Sequence, residues 1–77
     1  MKINKLEKIF LKAKLEKKDV AIELTVPTRQ STEVIIVKNN NLEYKLDYYR
    51  NNYTDDLVLN RCADIKILDA KVIDFKM

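Results

Sequence analysis

Two short stretches of the chain contain side chains of the types that can do chemistry. Asp55-Asp56 offers two adjacent carboxylates that could begin a Mg²⁺ or Ca²⁺ site, and Cys62, the single thiol, follows Arg61. Calcium loops space their acidic ligands and contain a glycine, whereas this chain has no glycine. A nearby cation favours a reactive thiolate, but the chain has no histidine to serve as its base. We therefore expect a solvated pair of acids and an unreactive cysteine.

The absence of glycine and histidine excludes several functional classes. Phosphate-cradling loops, dinucleotide-binding turns and nucleophile elbows need glycine where the backbone turns sharply or approaches a ligand. Ser-His and Cys-His pairs and histidine-ligated metals need histidine. The sequence predicts no catalytic residue, no metal and no cofactor, and so a protein that is not an enzyme.

Positive charge is concentrated at the start of the chain. The first 18 residues carry seven lysines against two glutamates, and the remainder carries more acids than bases. At helical spacing, Lys5, Lys8 and Lys12 share one face, which could bind phosphates or simply stay in solvent. Lysine outnumbers arginine twelve to three, although arginine is better suited to bidentate contacts with phosphates and bases. Nucleic-acid binding by this lysine face is therefore the alternative function.

All four tyrosines lie between Tyr44 and Tyr53. If this stretch is a helix, Tyr49 and Tyr53 share a side with two leucines and belong to the core, whereas Tyr44 and Tyr48 lie on the opposite side. Exposed tyrosines are typical of protein interfaces and can also stack on bases. Because the neighbouring lysine and arginine are balanced by acids, the pattern favours a protein partner. The predicted partner-binding residues are Tyr44, Tyr48, Lys45, Arg50, Leu11 and Leu15.

The elements that must position these residues follow from hydrophobic periodicity. Asn4 and Glu7 have the spacing of a capping box, which predicts a helix that ends near Lys17-Lys18. Its apolar stripe comprises Ile3, Leu6, Ile9, Phe10 and Ala13. Leu11 and Leu15 lie outside this stripe, where they either widen the buried face or form a small exposed apolar patch.

Two strands follow this helix. Residues 20–26 alternate between apolar and polar side chains, residues 27–31 predict a loop, and residues 32–38 predict a second strand rich in β-branched residues. Pairing them as a hairpin sets Ile22 opposite Ile36 and Leu24 opposite Val34. The predicted core consists of Ile22, Leu24, Val34, Ile36, Phe10 and Leu46.

The hydrophobic pattern of the second half of the chain defines its secondary structure less clearly. Asn39-Asn40-Asn41 predicts a turn with positive φ, and residues 42–53 favour a helix capped by Asn41, with a strand over residues 42–48 as the alternative. Residues 57–59 form a short apolar anchor. Ile65 to Phe75 predicts a strand whose alternation slips near Asp69, either at a bulge or at a break.

The predicted fold is a single α+β domain over residues 1–77. It has the order α-β-β-α-β, with a small antiparallel or mixed sheet and two helices on one face. The single cysteine cannot form an intramolecular disulfide, and neither a signal peptide nor an apolar run of ~20 residues is evident. We therefore expect a cytoplasmic protein without membrane association, and a homo-oligomer stays open.

The chain resembles the small proteins carried by phages and prophages of low-GC Gram-positive bacteria. The resemblance lies in its heavy use of Lys, Asn and Ile and in KLDYYRNNYTDDLVLN followed by IKILDAKVIDF. MKINKLEKIF, AIELTV and TEVIIVKNNNLEY also resemble the α-β-β opening of a small phage anti-CRISPR protein that occupies the DNA-binding face of its target nuclease. Such DNA mimics are acidic, whereas this chain has a net charge of +3. The resemblance implies a phage-borne inhibitor or accessory factor that acts on a host complex.

Overall fold

The computed structural model describes residues 1–26 and 31–74. Its elements are helix α1 (Ile3–Glu16), strands β1 (Asp19–Val26) and β2 (Ser31–Val37), a 3₁₀ turn (Asn39–Asn41), helix α2 (Leu42–Asn52) and strand β3 (Ile67–Ile73). The strands form one antiparallel sheet in the order β2-β1-β3. The predicted α+β class and the order α-β-β-α-β are therefore confirmed.

Helix α1 begins two residues earlier than a capping box at Asn4 would allow. Its N-cap position is Lys2, which makes no side-chain capping bond, so the predicted capping box is wrong. A distant segment caps the start of α1 instead. The backbone N–H of Ile3 donates to the carbonyl oxygen of Asp55 at 2.8 Å. The predicted apolar stripe is correct, with Leu6, Phe10 and Ala13 as its buried residues.

The C-terminal end of α1 is closed by two devices. Lys17 adopts a left-handed conformation at φ 57°, and the Lys18 N–H returns to the Ala13 carbonyl at 2.9 Å. The Asn39 side chain then donates to the carbonyl oxygens of Ala13 (3.2 Å) and Lys18 (2.7 Å). The predicted turn at Asn39-Asn40-Asn41 is present, but the positive φ predicted there is wrong, because among the described residues only Lys17 and Leu57 have positive φ. Asn39 is instead a cap for the preceding helix.

The β1–β2 hairpin is one residue out of the predicted register. Ile22 pairs with Ile35 and Leu24 with Glu33, rather than with Ile36 and Val34. Because side chains alternate across a strand, this single step reverses the faces of β2. The predicted loop over residues 27–31 falls largely outside the described residues, and Ser31 already belongs to β2.

The corrected register changes the predicted core. Val37 is buried and Ile35 packs against the core, while Val34 is 61% exposed and faces the opposite side of the sheet. Ile36 shares that opposite side and is half-buried. Leu46 is only partly buried, packed against the core from α2. The remaining predicted core residues, Ile22, Leu24 and Phe10, are buried.

Residues 42–52 form a helix, as favoured, and the alternative strand is wrong. Leu42 and Tyr49 are buried on its inner side, and Tyr53 follows as the buried C-cap. Asn41 occupies the N-cap position as predicted, but its side chain makes no capping bond. The inner side of α2 therefore packs against α1 and completes the core.

The predicted last strand, from Ile65 to Phe75, is shorter in the structure, and Phe75 lies outside the described residues. The predicted bulge is confirmed next to Asp69: Glu23 pairs with Asp69 and Leu24 with Ile67, which leaves Leu68 as the extra residue. Leu57 of the predicted apolar anchor is fully buried, and its carbonyl accepts a bond from the Ile67 N–H at 3.0 Å. The anchor thus lies along the outer edge where β3 begins.

Candidate partner-binding surface on the two helices

A cleft of about 300 Å³ separates α1 and α2. Its floor is apolar, because Phe10 and Leu42 lie at the bottom and are each only 2% exposed. Leu46 and the exposed Leu11 form its apolar walls. A concave apolar surface of this kind can accept one or two apolar side chains from another molecule.

Two ion pairs bridge the rims of this cleft. The Arg50 Nε donates to Glu7 Oε1 at 3.0 Å, and Lys14 pairs with Glu43. Each helix therefore carries a glutamate and, seven residues later, a cation, and the crossed pairing shows that the helices run antiparallel. The predicted site omitted Glu7, Lys14 and Glu43. The matched seven-residue spacing of opposite charges was the signal that could have found them.

These pairs set the electrostatics of the rim. The hydrogen bond that Glu43 accepts from Lys14, reinforced by the lysine charge, lowers the pKa of Glu43. The hydrogen bond to Glu7 likewise raises the pKa of Arg50, with a smaller contribution from Asp47. Glu43 and Arg50 are therefore charged at neutral pH. Because exposed ion pairs add little to stability, a charged partner can replace either one at small cost.

Tyr44 and Tyr48 are exposed, as the sequence predicts, but their surroundings differ. Tyr44 is 74% exposed. Tyr48 packs edge-on against Tyr49 and Tyr53, with ring centroids 5.5 Å and 6.2 Å away, and Lys45 Nζ lies 5.0 Å from its ring centroid. Tyr48 therefore extends an intramolecular aromatic cluster, and only Tyr44 has an exposure that internal packing does not explain.

Leu11 and Leu15 form an exposed apolar pair on α1. They are 57% and 76% exposed, which resolves their ambiguity in favour of a surface patch. Lys8 and Lys12 precede them by three residues each, so helical geometry places these lysines beside the leucines. No ion pair within residues 1–26 and 31–74 involves Lys5, Lys8 or Lys12.

The six predicted partner-binding residues do not form one continuous patch. Leu11 and Arg50 line the cleft together, and Leu15 lies one turn farther along α1. Around the α2 axis, Tyr44, Lys45 and Tyr48 lie ~120°, ~140° and ~160° from Arg50, and none of the three lines the cleft. We define the helical surface as the cleft together with the exposed side chains of Leu11, Leu15 and Tyr44 on the two helices.

The two stretches of possible chemistry lie elsewhere. Asp56 pairs with Lys2, and the Asp55 backbone holds the start of α1. Cys62 is a half-buried free thiol. No group of three or more potential metal ligands occurs among the described residues. Within the same part of the chain, no helix has the length and apolar character needed to span a membrane.

Comparison of the chain with protein-family models, with curated proteins and with solved structures finds no significant match.

Proposed function

We propose that this protein is a non-catalytic binding module that recognises another protein through the helical surface. One observation carries the proposal: Leu11 lines the apolar cleft and is 57% exposed, and two more large side chains on the same two helices, Leu15 and Tyr44, are also more than half exposed. Large exposed apolar groups around a concavity are typical of interaction sites. Burial in a partner gives these side chains a role that the fold does not.

The chemistry of α1 indicates the kind of partner. Lys8 and Lys12 flank the leucine pair, so a complementary surface presents apolar side chains bordered by carboxylates. An acidic amphipathic helix fits this description, because its apolar side chains can enter the cleft while its acids meet the lysines. The resemblance to phage-carried proteins adds that the partner is part of a host complex, and that the module acts as an inhibitor or accessory factor.

Affinity capture with matched variants tests this proposal. The immobilised protein is incubated with nuclease-treated lysate of a low-GC Gram-positive bacterium, and captured proteins are identified by mass spectrometry. Binding of each captured protein is then measured against Leu11→Ala/Leu15→Ala and Tyr44→Ala. Removing an anchor residue typically costs ~2 kcal/mol or more, so we expect at least ~30-fold weaker binding.

The control variant is Leu68→Ala, which removes an exposed leucine from β3 rather than from the helical surface. It should bind like the parent, and all variants should keep the parent melting temperature. If both helical variants retained full binding, the helical surface would not be the site.

Nucleic-acid binding is the second candidate, because Lys5, Lys8 and Lys12 are exposed and belong to no ion pair within the described residues. Non-specific binding is strongest at low salt, so gel shifts with duplex and single-stranded DNA and RNA at ~50 mM salt test it. Replacing all three lysines by glutamine should abolish any shift. The charge-matched control is Lys17→Gln/Lys66→Gln/Lys71→Gln. Absence of a shift with the parent protein would refute this candidate.

A further inference from the structure

The two outer edges of the sheet are protected very differently. On β3, the Ile67 N–H is bonded to the Leu57 carbonyl at 3.0 Å, so residues of the anchor cover the start of the strand. The bulge at Leu68 interrupts the edge, and Asp69 and Lys71 place charges on the part that follows. A covering segment, a bulge and charged residues are all devices that prevent a sheet edge from pairing with another chain.

Within the described part of the chain, the edge formed by β2 is neither covered by another segment nor interrupted by a bulge. Among the described strands, β1 is the one neighbour of β2 in the sheet. Its pairing with β1 runs from Ser31 to Val37 without a bulge, and Glu33 is its single charged residue. Val34, at the middle of the strand, is 61% exposed. Such a regular, β-branched edge offers a ready template for another strand.

We infer that β2 pairs antiparallel with β2 of a second copy of this chain, which gives a dimer with a continuous six-stranded sheet. A two-fold axis beside Val34 pairs Ser31 with the Val37 of the second copy, so all seven residues of each strand take part. This register buries the exposed Val34 side chains against each other. Because β3 is protected, the pairing uses both open edges and cannot continue into a fibre.

The two-fold axis is perpendicular to the sheet, so both pairs of helices lie on the same face of the dimer. The interface consists of one strand from each chain and lies below the ~1,200 Å² of standard interfaces. We therefore expect a weak dimer, in a monomer–dimer equilibrium that depends on protein concentration. This inference does not depend on the proposed function, because the helical surface lies on other elements.

Sedimentation velocity over a wide range of protein concentrations tests the dimer. We expect the mass to rise from monomer to dimer and to go no higher. Val34→Lys should stay monomeric at every concentration with an unchanged melting temperature, because position 34 is exposed. Leu68→Lys places the same charge on the other edge and should dimerise like the parent. A parent that remains monomeric, one that forms larger assemblies, or a Val34→Lys variant that still dimerises would each overturn the inference.

A disulfide trap tests the register. Opposed residues of an antiparallel pair have Cα atoms ~4.5–5.5 Å apart, which a disulfide can span. In a Cys62→Ser background, Val34→Cys should form a covalent dimer under mild oxidation, whereas the matched Leu68→Cys should not. Equal cross-linking of the two variants would show that random collisions, rather than β2 pairing, join the chains.

Discussion

At the scale of single residues, Asn39 connects two parts of the fold. Its side chain donates to two carbonyls at the end of α1, and its backbone N–H donates to Asp19 Oδ1 at 2.8 Å. Asn39→Ala leaves the Ala13 and Lys18 carbonyls without this donor. We expect a loss of ~1–3 kcal/mol in the free energy of unfolding, measured by urea denaturation. The neighbouring Asn40 is exposed, so Asn40→Ala should change the free energy by less than ~0.5 kcal/mol.

Tyr49 gives the protein a dependence on alkaline pH. Burial raises the pKa of Tyr49, with smaller contributions from Tyr53 and Tyr48. The folded state therefore holds the phenol proton more tightly than the unfolded chain, and this contribution is constant below pH ~10 and is lost as pH rises further. Urea denaturation between pH ~8 and ~11 should show a smaller loss of stability for Tyr49→Phe than for the parent.

The control for this measurement is Tyr44→Phe, which removes the hydroxyl of an exposed tyrosine. Its stability should fall with pH as steeply as that of the parent. If Tyr49→Phe also followed the parent curve, ionisation of Tyr49 would not contribute to alkaline unfolding.

At the scale of elements, the helices were predictable and the strand register was not. Helix α1 has a clear apolar stripe, and α2 repeats it over enough residues to decide against a strand. In β2, four consecutive apolar residues, from Val34 to Val37, make both faces look apolar. Alternation therefore does not choose the register. In the structure Val26 pairs with Ser31, so the connection between β1 and β2 is one residue shorter than predicted.

The corrected register predicts different stability losses for alanine substitutions at Leu24 and Val34, which the sequence pattern had paired opposite each other. Leu24 lies in the core, so Leu24→Ala should cost ~2–5 kcal/mol of unfolding free energy. Val34 lies on the other face, so Val34→Ala should cost less than ~0.5 kcal/mol in dilute solution. Urea denaturation of both variants measures the difference. Equal losses would support the pairing predicted from the sequence, in which Val34 faces the core.

The candidate site was only partly predictable for a related reason. The exposure of Tyr44 follows from helical periodicity within α2, whereas periodicity left Leu11 and Leu15 open between a wider buried face and an exposed patch. The cleft follows from how α1 and α2 pack, which depends on contacts between distant residues such as Arg50 and Glu7. Local patterns describe one element at a time, so they identify candidate surface residues but not the cleft between the two helices.

At the scale of the whole molecule, β1 is the centre of the structure. It pairs with β2 on one side and β3 on the other, and most of its side chains are buried. Helix α2 has one buried side and otherwise faces solvent. Native-state hydrogen exchange should therefore give slower exchange for the amides of β1 than for those of α2, because opening β1 requires global unfolding. Amides of α2 that exchanged as slowly as those of β1 would show that the fold opens as one unit.

The pairing of β1 with β3 also sets the order of events during synthesis. Helix α1 and the β1–β2 hairpin are local in sequence and can form while the chain is still being made. The second edge of β1 stays open until residues 67–73 have left the ribosome. Because closing such a long loop is entropically costly, docking of β3 should limit the folding rate. During that interval the apolar face of the unfinished sheet is exposed, so the nascent chain is more prone to aggregate than the folded protein.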